Sequence, residues 1–294
     1  MASQTVRIVV PYAVGGNADG LSRLVQDRLQ QDLRLNVILE NRPGGGTVIA
    51  NTLVAQASAE QIVLLYQSIS LPVSQILVPP SYDTRALQPL VKLGSSPMLL
   101  TVPASSVLFS IREWQRMAKN HSITYASAGM GSGTHIVSEI FRSALGLNMI
   151  HVPYRGQALA IVDVITGKVE SAFLFPQVAL PYVQSGKLLP VAIMGDRRSA
   201  MYPDVPTFAE NGFSGLGTAS RPWHMILANQ TVHQNQISQI QQSLIAWLRS
   251  KSGQQSLATL GVEVDQDLVP TPSFLDREKQ RYVNLVNELG LKPE

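Results

Sequence analysis

The chain has 294 residues, of which 45% are hydrophobic and 15% charged. That mixture builds cores, and the length suits two domains of ordinary size. Cysteine is absent, which excludes disulfide scaffolds, zinc ribbons and thiol nucleophiles. Lys plus Arg number 23 against 20 Asp plus Glu. The basic pairs Arg197–Arg198 and Lys279–Arg281 are isolated and not interleaved with aromatics, so no nucleic-acid stripe is expected. No apolar run reaches the roughly 20 residues of a membrane span. The opening Met1-Ala2-Ser3-Gln4 runs into a strand without a secretory leader, so the protein is either cytosolic or its leader has been removed.

Residues 6–10 form a strand, apolar except for Arg7, that stops at Pro11. After Gly15-Gly16-Asn17, the apolar residues Leu21, Leu24, Val25 and Leu29 recur at helical spacing. Residues 37–39 are the next strand, ending in Asn41-Arg42-Pro43-Gly44-Gly45-Gly46. A helix with Ile49, Leu53 and Val54 follows. Residues 62–65 are a third strand, running into Gln67-Ser68-Ile69-Ser70.

The middle of the chain repeats this plan. Strands are expected at 98–102, 123–126, 149–152, 172–175 and 189–194, with Pro103 marking a crossing between domains. Helices are expected around 114–118, 135–144 and 159–166. In the tail, 236–248 has helical periodicity. Residues 272–289 read as a helix with Thr271 as N-cap, Pro272 in the first turn and Gly290 as stop. Strands alternating with helices predict an α/β fold with parallel sheets covered on both faces.

Clustered glycines at 15–16, 44–46 and 129–133, and Gly156, fall where strands turn into helices. Such turns let backbone N–H groups and helix N-termini meet a small anion without Lys or Arg. Their other use is simply to turn the chain. Gly129 to Gly133 reads G-x-G-x-G, no acidic residue follows about 20 positions later, and no Walker lysine is present, so a nucleotide is poorly matched.

No G-x-S-x-G or H-E-x-x-H occurs. Ser132, His135 and Glu139 form a conceivable catalytic set, against the alternative of a helix start with an i,i+4 pair. Asp19 suits a first-turn charge that offsets the helix dipole. His151 and His224 either face a cleft or are packed. Arg42, Arg155 and Arg221 are candidates to grip a carboxylate, against surface ion pairs. Tyr12, Tyr154, Phe175 and Trp223 either wall a pocket or belong to cores.

Five ordered motifs carry a family resemblance. They are Ile8-Val9-Val10-Pro11-Tyr12-Ala13-Val14-Gly15-Gly16-Asn17-Ala18-Asp19, Glu40-Asn41-Arg42-Pro43-Gly44-Gly45-Gly46, Tyr125-Ala126-Ser127-Ala128-Gly129 with Gly131-Ser132, His135, Glu139 and Phe141, His151-Val152-Pro153-Tyr154-Arg155-Gly156, and Pro203-Asp204-Val205-Pro206-Thr207. The C-terminal helix ending Gly290-Leu291-Lys292-Pro293-Glu294 also fits. The chain resembles the Bug-type solute receptors, extracytoplasmic subunits of tripartite tricarboxylate transporters. The resemblance implies a type II periplasmic-binding-protein fold, two Rossmann-like α/β domains around a ligand cleft. Residues 1–102 with 222–294 would form domain 1, and 103–221 domain 2. It implies a periplasmic receptor, its signal peptide removed, that captures a small carboxylate by hinge closure and delivers it to membrane permease subunits. No enzyme activity, cofactor, metal or nucleic acid is implied. The alternatives are an enzyme on a related fold using Ser132 and His135, or a sensor reporting to a signalling partner.

The same resemblance maps ligand contacts onto this sequence. Domain 1 would contribute Tyr12, Val14, Gly15, Gly16, Gly45, Thr47, Ser68 and Ser70. Domain 2 would contribute Ser127, Gly131, Ser132, Thr134, His135, Tyr154, Arg155, Gly156, Leu174 and Phe175. Arg221 would hold a second carboxylate if it faces the cleft. Many relatives carry Gly-Asn where this chain has Thr47-Val48, and a polar pair where it has Leu174-Phe175. The expected ligand is therefore a carboxylate with an aromatic or otherwise partly apolar far end. An amino acid would leave its ammonium unpaired at a cost of a few kcal/mol.

Overall fold

The computed structural model describes residues 5–78, 80–118, 120–195, 197–214, 216, 221–271 and 273–291. The chain divides into two compact units. Unit 1 is Met1–Ser95 with Trp223–Glu294, and unit 2 is Ser96–Pro222.

Unit 1 begins with β1 (Thr5–Val10), α1 (Asn17–Leu33), β2 (Asn36–Asn41), α2 (Val48–Ala55), β3 (Ile62–Ser68), α3 (Ser70–Leu77) and β4 (Leu87–Ser95). Unit 2 holds β5 (Met98–Pro103), α4 (Ile111–Ala118), β6 (Ile123–Ser127), α5 (Gly133–Leu145), β7 (Met149–Pro153), α6 (Gln157–Ile165), β8 (Ser171–Leu174), α7 (Pro176–Gln184) and β9 (Leu188–Met194). The chain then completes unit 1 with β10 (Trp223–Asn229), α8 (Gln234–Arg249), α9 (Lys251–Ala258) and α10 (Phe274–Glu288).

The sheet of unit 1 has the order β2-β1-β3-β10-β4, and that of unit 2 the order β7-β6-β8-β5-β9. The two orders follow one pattern. In each, three parallel strands are followed by an antiparallel one, β10 or β5. The expected all-parallel sheets are therefore mixed. An apolar run has the same pattern read in either direction, so orientation is invisible in it. Pairing also moves the domain boundary. β5 pairs with β8 and β9, so residues 96–102 belong to unit 2, and Pro103 ends a strand instead of marking the crossing.

The continuous strand β1 has Val6, Ile8, Val9 and Val10 wholly buried. Leu21, Val25 and Leu29 of α1 and Ile237, Ile240, Leu244 and Leu248 of α8 pack into the same core. Each such side chain contributes about 1.5–3 kcal/mol by leaving water. Unit 2 packs Trp114, Phe141, Phe173 and Phe208 into one core and Ile161, Val164, Leu174 and Tyr202 into another.

Two features differ from the pattern read along the sequence. β4 carries Pro89 and Lys92, which suit only an edge strand. Its outer side is covered by the chain at 263–268, through Lys92 N–H to Leu268 O at 2.8 Å and Ser95 N–H to Glu263 O at 2.9 Å. The last helix begins at Phe274 with Ser273, not Thr271, in the cap position. Thr271 supplies its carbonyl to Phe274 N–H, and Pro272 lies outside the described residues. Gly290, at φ +66°, ends the helix as expected. Trp223 is buried because its indole N–H donates to Glu278 Oε2 at 2.7 Å and its ring meets Phe274 edge-on. This ties the start of β10 to α10.

Candidate functional site

In unit 1, parallel β2, β1 and β3 lie side by side, so their carboxyl ends share one edge. Each runs into a helix. The cap residues Gly16, Thr47 and Ile69 make no side-chain hydrogen bond to α1, α2 or α3. The first N–H groups of a helix have no partner within it and carry its partial positive charge. Three N-termini without a side-chain cap on one edge are an arrangement that suits a small anion without a cation, although the first N–H of α2, that of Val48, is taken by Gly45 O.

The nearby cations are already matched. Arg42 donates to Glu40 Oε1, and Glu40 also takes Arg7. These contacts, Arg7 first, hold the Glu40 carboxyl below its ordinary range. Asp19 binds Arg23 at 3.0 Å, accepts Gly15 N–H at 3.2 Å and receives the Asn41 amide at 3.2 Å. The same amide reaches Tyr12 O. Asp19 thus pins the β1–α1 loop, beyond the dipole role expected of it. Of the two readings of Arg42, the structure shows the ion pair.

Val14 and Gly15 are exposed, and Gly16 is half-buried at the head of α1. The half-buried Tyr12 has its phenol pushed up to about 12 by desolvation, with Ser70 in hydrogen-bond contact. Gly45 is exposed. Thr47 turns inward: it is buried at φ +85°, and its hydroxyl is bonded by Asn51. Ser68 and Ser70 are buried on Gln67. His224 is fully buried. Nε2 meets the Asn17 amide at 3.4 Å and Nδ1 the Tyr66 hydroxyl at 2.6 Å. It packs beneath the loops instead of facing a cleft. Asn51, Gln67 and His224 sit under the site without a local motif that marks them.

The loops of unit 2 are more closed. Ser127 Oγ meets His151 Nε2 at 2.6 Å, donates to Gly129 O and accepts Gly129 N–H. Thr134 Oγ1 accepts Ala128 N–H at 2.8 Å, and Gly131 N–H donates to His135 Nδ1 at 3.1 Å. Ser132 caps α5 by accepting His135 N–H at 3.3 Å. Glu139 accepts from Tyr125 at 2.5 Å and from Arg142 at 2.7 Å. The conceivable Ser132–His135–Glu139 set is therefore dispersed among other partners. Ser127, Ser132 and Thr134 spend these hydroxyl bonds within the loop.

Tyr154 donates to Asp163 Oδ2 at 2.7 Å, and burial followed by that bond pushes its phenol up to about 12. Leu174 is core, 1% exposed, and Phe175 packs with Phe173 and Met194. This corrects the expected apolar pocket wall: hydrophobic side chains at these strand ends fill the interior of unit 2. Arg155 is exposed and Gly156 buried at the uncapped N-terminus of α6. Arg221 is half-buried and not free.

A match to the model of the tripartite tricarboxylate transporter family receptor spans residues 21–291. The chain belongs to this family. As a family receptor it is similar to protein BugT of Bordetella pertussis, with 28% identity over 99% of this chain and 90% of that protein. Its fold matches that of the periplasmic binding protein BugD, with a TM-score of 0.89, 25% identity and full coverage of both chains. R. palustris Rpa4515 with adipate superposes with a TM-score of 0.91 at 23% identity, covering 100% of this chain and 99% of that one. These likenesses agree with the expected two-domain periplasmic-binding-protein architecture. Among the described residues of this receptor, no cluster of three His, Cys, Asp or Glu could hold a metal ion, and no helix is long and apolar enough to cross a membrane.

The receptor's unit 2 carries an aromatic stack with a pH signature. His135 and His151 stack with centroids 4.1 Å apart, and Tyr125 lies 5.0 Å from His151. Burial, then Arg142, lowers His135 to about 4, while burial, then His135, lowers His151 to about 3. Both rings fold neutral. Above pH 6.5 their contribution is complete. As pH falls below that, the unfolded chain takes up protons the folded one refuses, so stability drains between 6.5 and about 4. For buried His135 the loss is about 2 kcal/mol by pH 4.5, and less for half-buried His151. Chemical denaturation at pH 7 and 4.5 should show this loss, and His135→Gln should shrink it.

Proposed function

We propose that this chain is a periplasmic receptor that captures a small carboxylate and delivers it to permease subunits of a tripartite tricarboxylate transporter. The carrying observation is the trio of uncapped helix N-termini on one edge of the unit 1 sheet. Partial positive charge and open N–H groups suit a carboxylate, whose charge strengthens each hydrogen bond. Family membership supports the same class of ligand, and adipate in Rpa4515 is an acid of that kind. Gly15, Gly16 and Gly45 act through their backbones.

Leu174 in the core places no acid to meet an ammonium. Dicarboxylates should therefore bind at least about tenfold more tightly than amino acids, a difference of about 1.4 kcal/mol. Calorimetry with adipate, malate, citrate and glutamate tests this. Tightest binding of glutamate, or of no acid at all, would refute the proposal.

A further inference from the structure

Beneath these helix N-termini lies a chain of buried polar side chains that belongs neither to the apolar core nor to the candidate contacts alone. Gln67, Asn51 and Ser70 are 0% exposed, Ser74 1% and Thr47 3%. Gln67 Oε1 accepts Ser68 N–H at 3.2 Å and the Ser70 hydroxyl at 3.0 Å. Its amide donates to Asn51 Oδ1 at 2.6 Å. Asn51 in turn donates to Thr47 Oγ1 at 3.2 Å, and Thr47 donates to Ser74 Oγ at 3.4 Å. Ser74 closes the chain on Leu71 O at 3.0 Å. The sequence joins β3–α3 to β2–α2 through side chains alone.

Burying five polar side chains is costly unless each finds partners. An apolar set would fill the space at lower risk, so the network needs a reason beyond stability. Thr47 sharpens the point. A β-branched residue at φ +85° is strained, and glycine would relieve it. The strain is held where the hydroxyl is the link between Asn51 and Ser74.

We propose that Gln67 and Asn51 are positioning residues that lock two of the three ligand loops, β2–α2 and β3–α3, into one register. Neither touches the ligand. They set where the N-termini of α2 and α3 stand, so that both sets of N–H groups meet one carboxylate. The inference deepens the carboxylate reading above and rests on it.

Three proteins test it: wild type, Gln67→Leu and Asn51→Leu/Gln67→Leu. Gln67→Leu orphans the Asn51 carbonyl, the Ser68 N–H and the Ser70 hydroxyl and should lower stability. The double variant also removes the Asn51 carbonyl and should recover that part of the loss, while the Ser68 and Ser70 donors stay unpaired. It should not recover binding: adipate or malate should bind at least tenfold more weakly to both variants. Amide hydrogen exchange, read without ligand, should rise in residues 44–47 as well as in 68–70. A double variant with that part of its stability recovered and wild-type affinity would overturn the proposal. So would faster exchange confined to 68–70. If no acid binds wild type, the carboxylate reading fails, while the exchange data still decide whether the loops are coupled.

Discussion

Replacing Gly94 with alanine is expected to destabilise unit 1 by about 3 kcal/mol or more, a fall of roughly 6–12 °C in its melting temperature. Gly94 sits in β4 at φ +142°, where the register against β10 shifts between His224 and Met225. A Cβ there would stand 2.2 Å from Glu263 O and 2.9 Å from Val262 Cγ1. The carbonyl cannot swing aside freely, because Ser95 and Glu263 exchange two backbone hydrogen bonds of 2.9 Å. Relieving the clash would also pull Asp265 from Lys92 and Ser95, which it meets at 2.8 and 3.2 Å. The added cost of an L side chain in that conformation is about 1–2 kcal/mol. Gly20→Ala is the control. Its Cβ would meet only Leu260 at 3.4 Å inside α1, so it should be neutral or stabilise by up to about 1 kcal/mol. Thermal melts of the two variants decide the matter; a Gly94→Ala protein that melts with wild type would contradict this packing.

Much of this fold is written plainly in the chain. The run from Val6 to Val10, apolar but for Arg7, reads as a largely buried strand, and glycine clusters after β1 and β2 mark the turns at the strand ends. What stayed hidden has specific causes. β4 is broken by Pro89 and Lys92, tolerable only because pairing with β10 makes it an edge. β3 ends and α3 begins within Gln67-Ser68-Ile69-Ser70, a polar stretch that reads as loop until its side chains are seen bonding one another. The directions of β5 and β10 depend on where the chain crosses between units, which no local pattern records.

The candidate site divides along the same line. Backbone groups of Gly15, Gly16 and Gly45 were legible, because glycine at a strand-to-helix turn has a direct physical meaning. Side-chain directions were not. Leu174 and Phe175 suit a pocket wall or a core equally by composition, and the core claimed them. Thr47 looked outward in sequence, but its left-handed backbone turns the hydroxyl onto Asn51 and Ser74. The Arg42 pairing did leave a signal: Glu40 stands two residues earlier at the end of a strand, where i and i+2 share a face.

The central claim is that helix N-termini, not side-chain cations, hold the carboxylate, and Gly16 offers the most direct measurement. It occupies the cap of α1 at φ −89° and ψ 178°, and a Cβ there meets nothing within 4 Å. An aspartate at this position would cap the helix itself, which over glycine typically adds about a few tenths of a kcal/mol to stability. Its carboxylate would also take the N–H groups reserved for the ligand and repel the ligand's charge. Titration calorimetry on Gly16→Asp, Gly16→Asn and Gly16→Ala, using the tightest-binding of adipate, malate and citrate, separates these effects. The prediction is a Gly16→Asp protein at least as stable as wild type whose affinity falls about 100-fold or more, roughly 2.7 kcal/mol. Gly16→Asn should lose less and Gly16→Ala little. A folded Gly16→Asp protein that binds as tightly as wild type would contradict the claim.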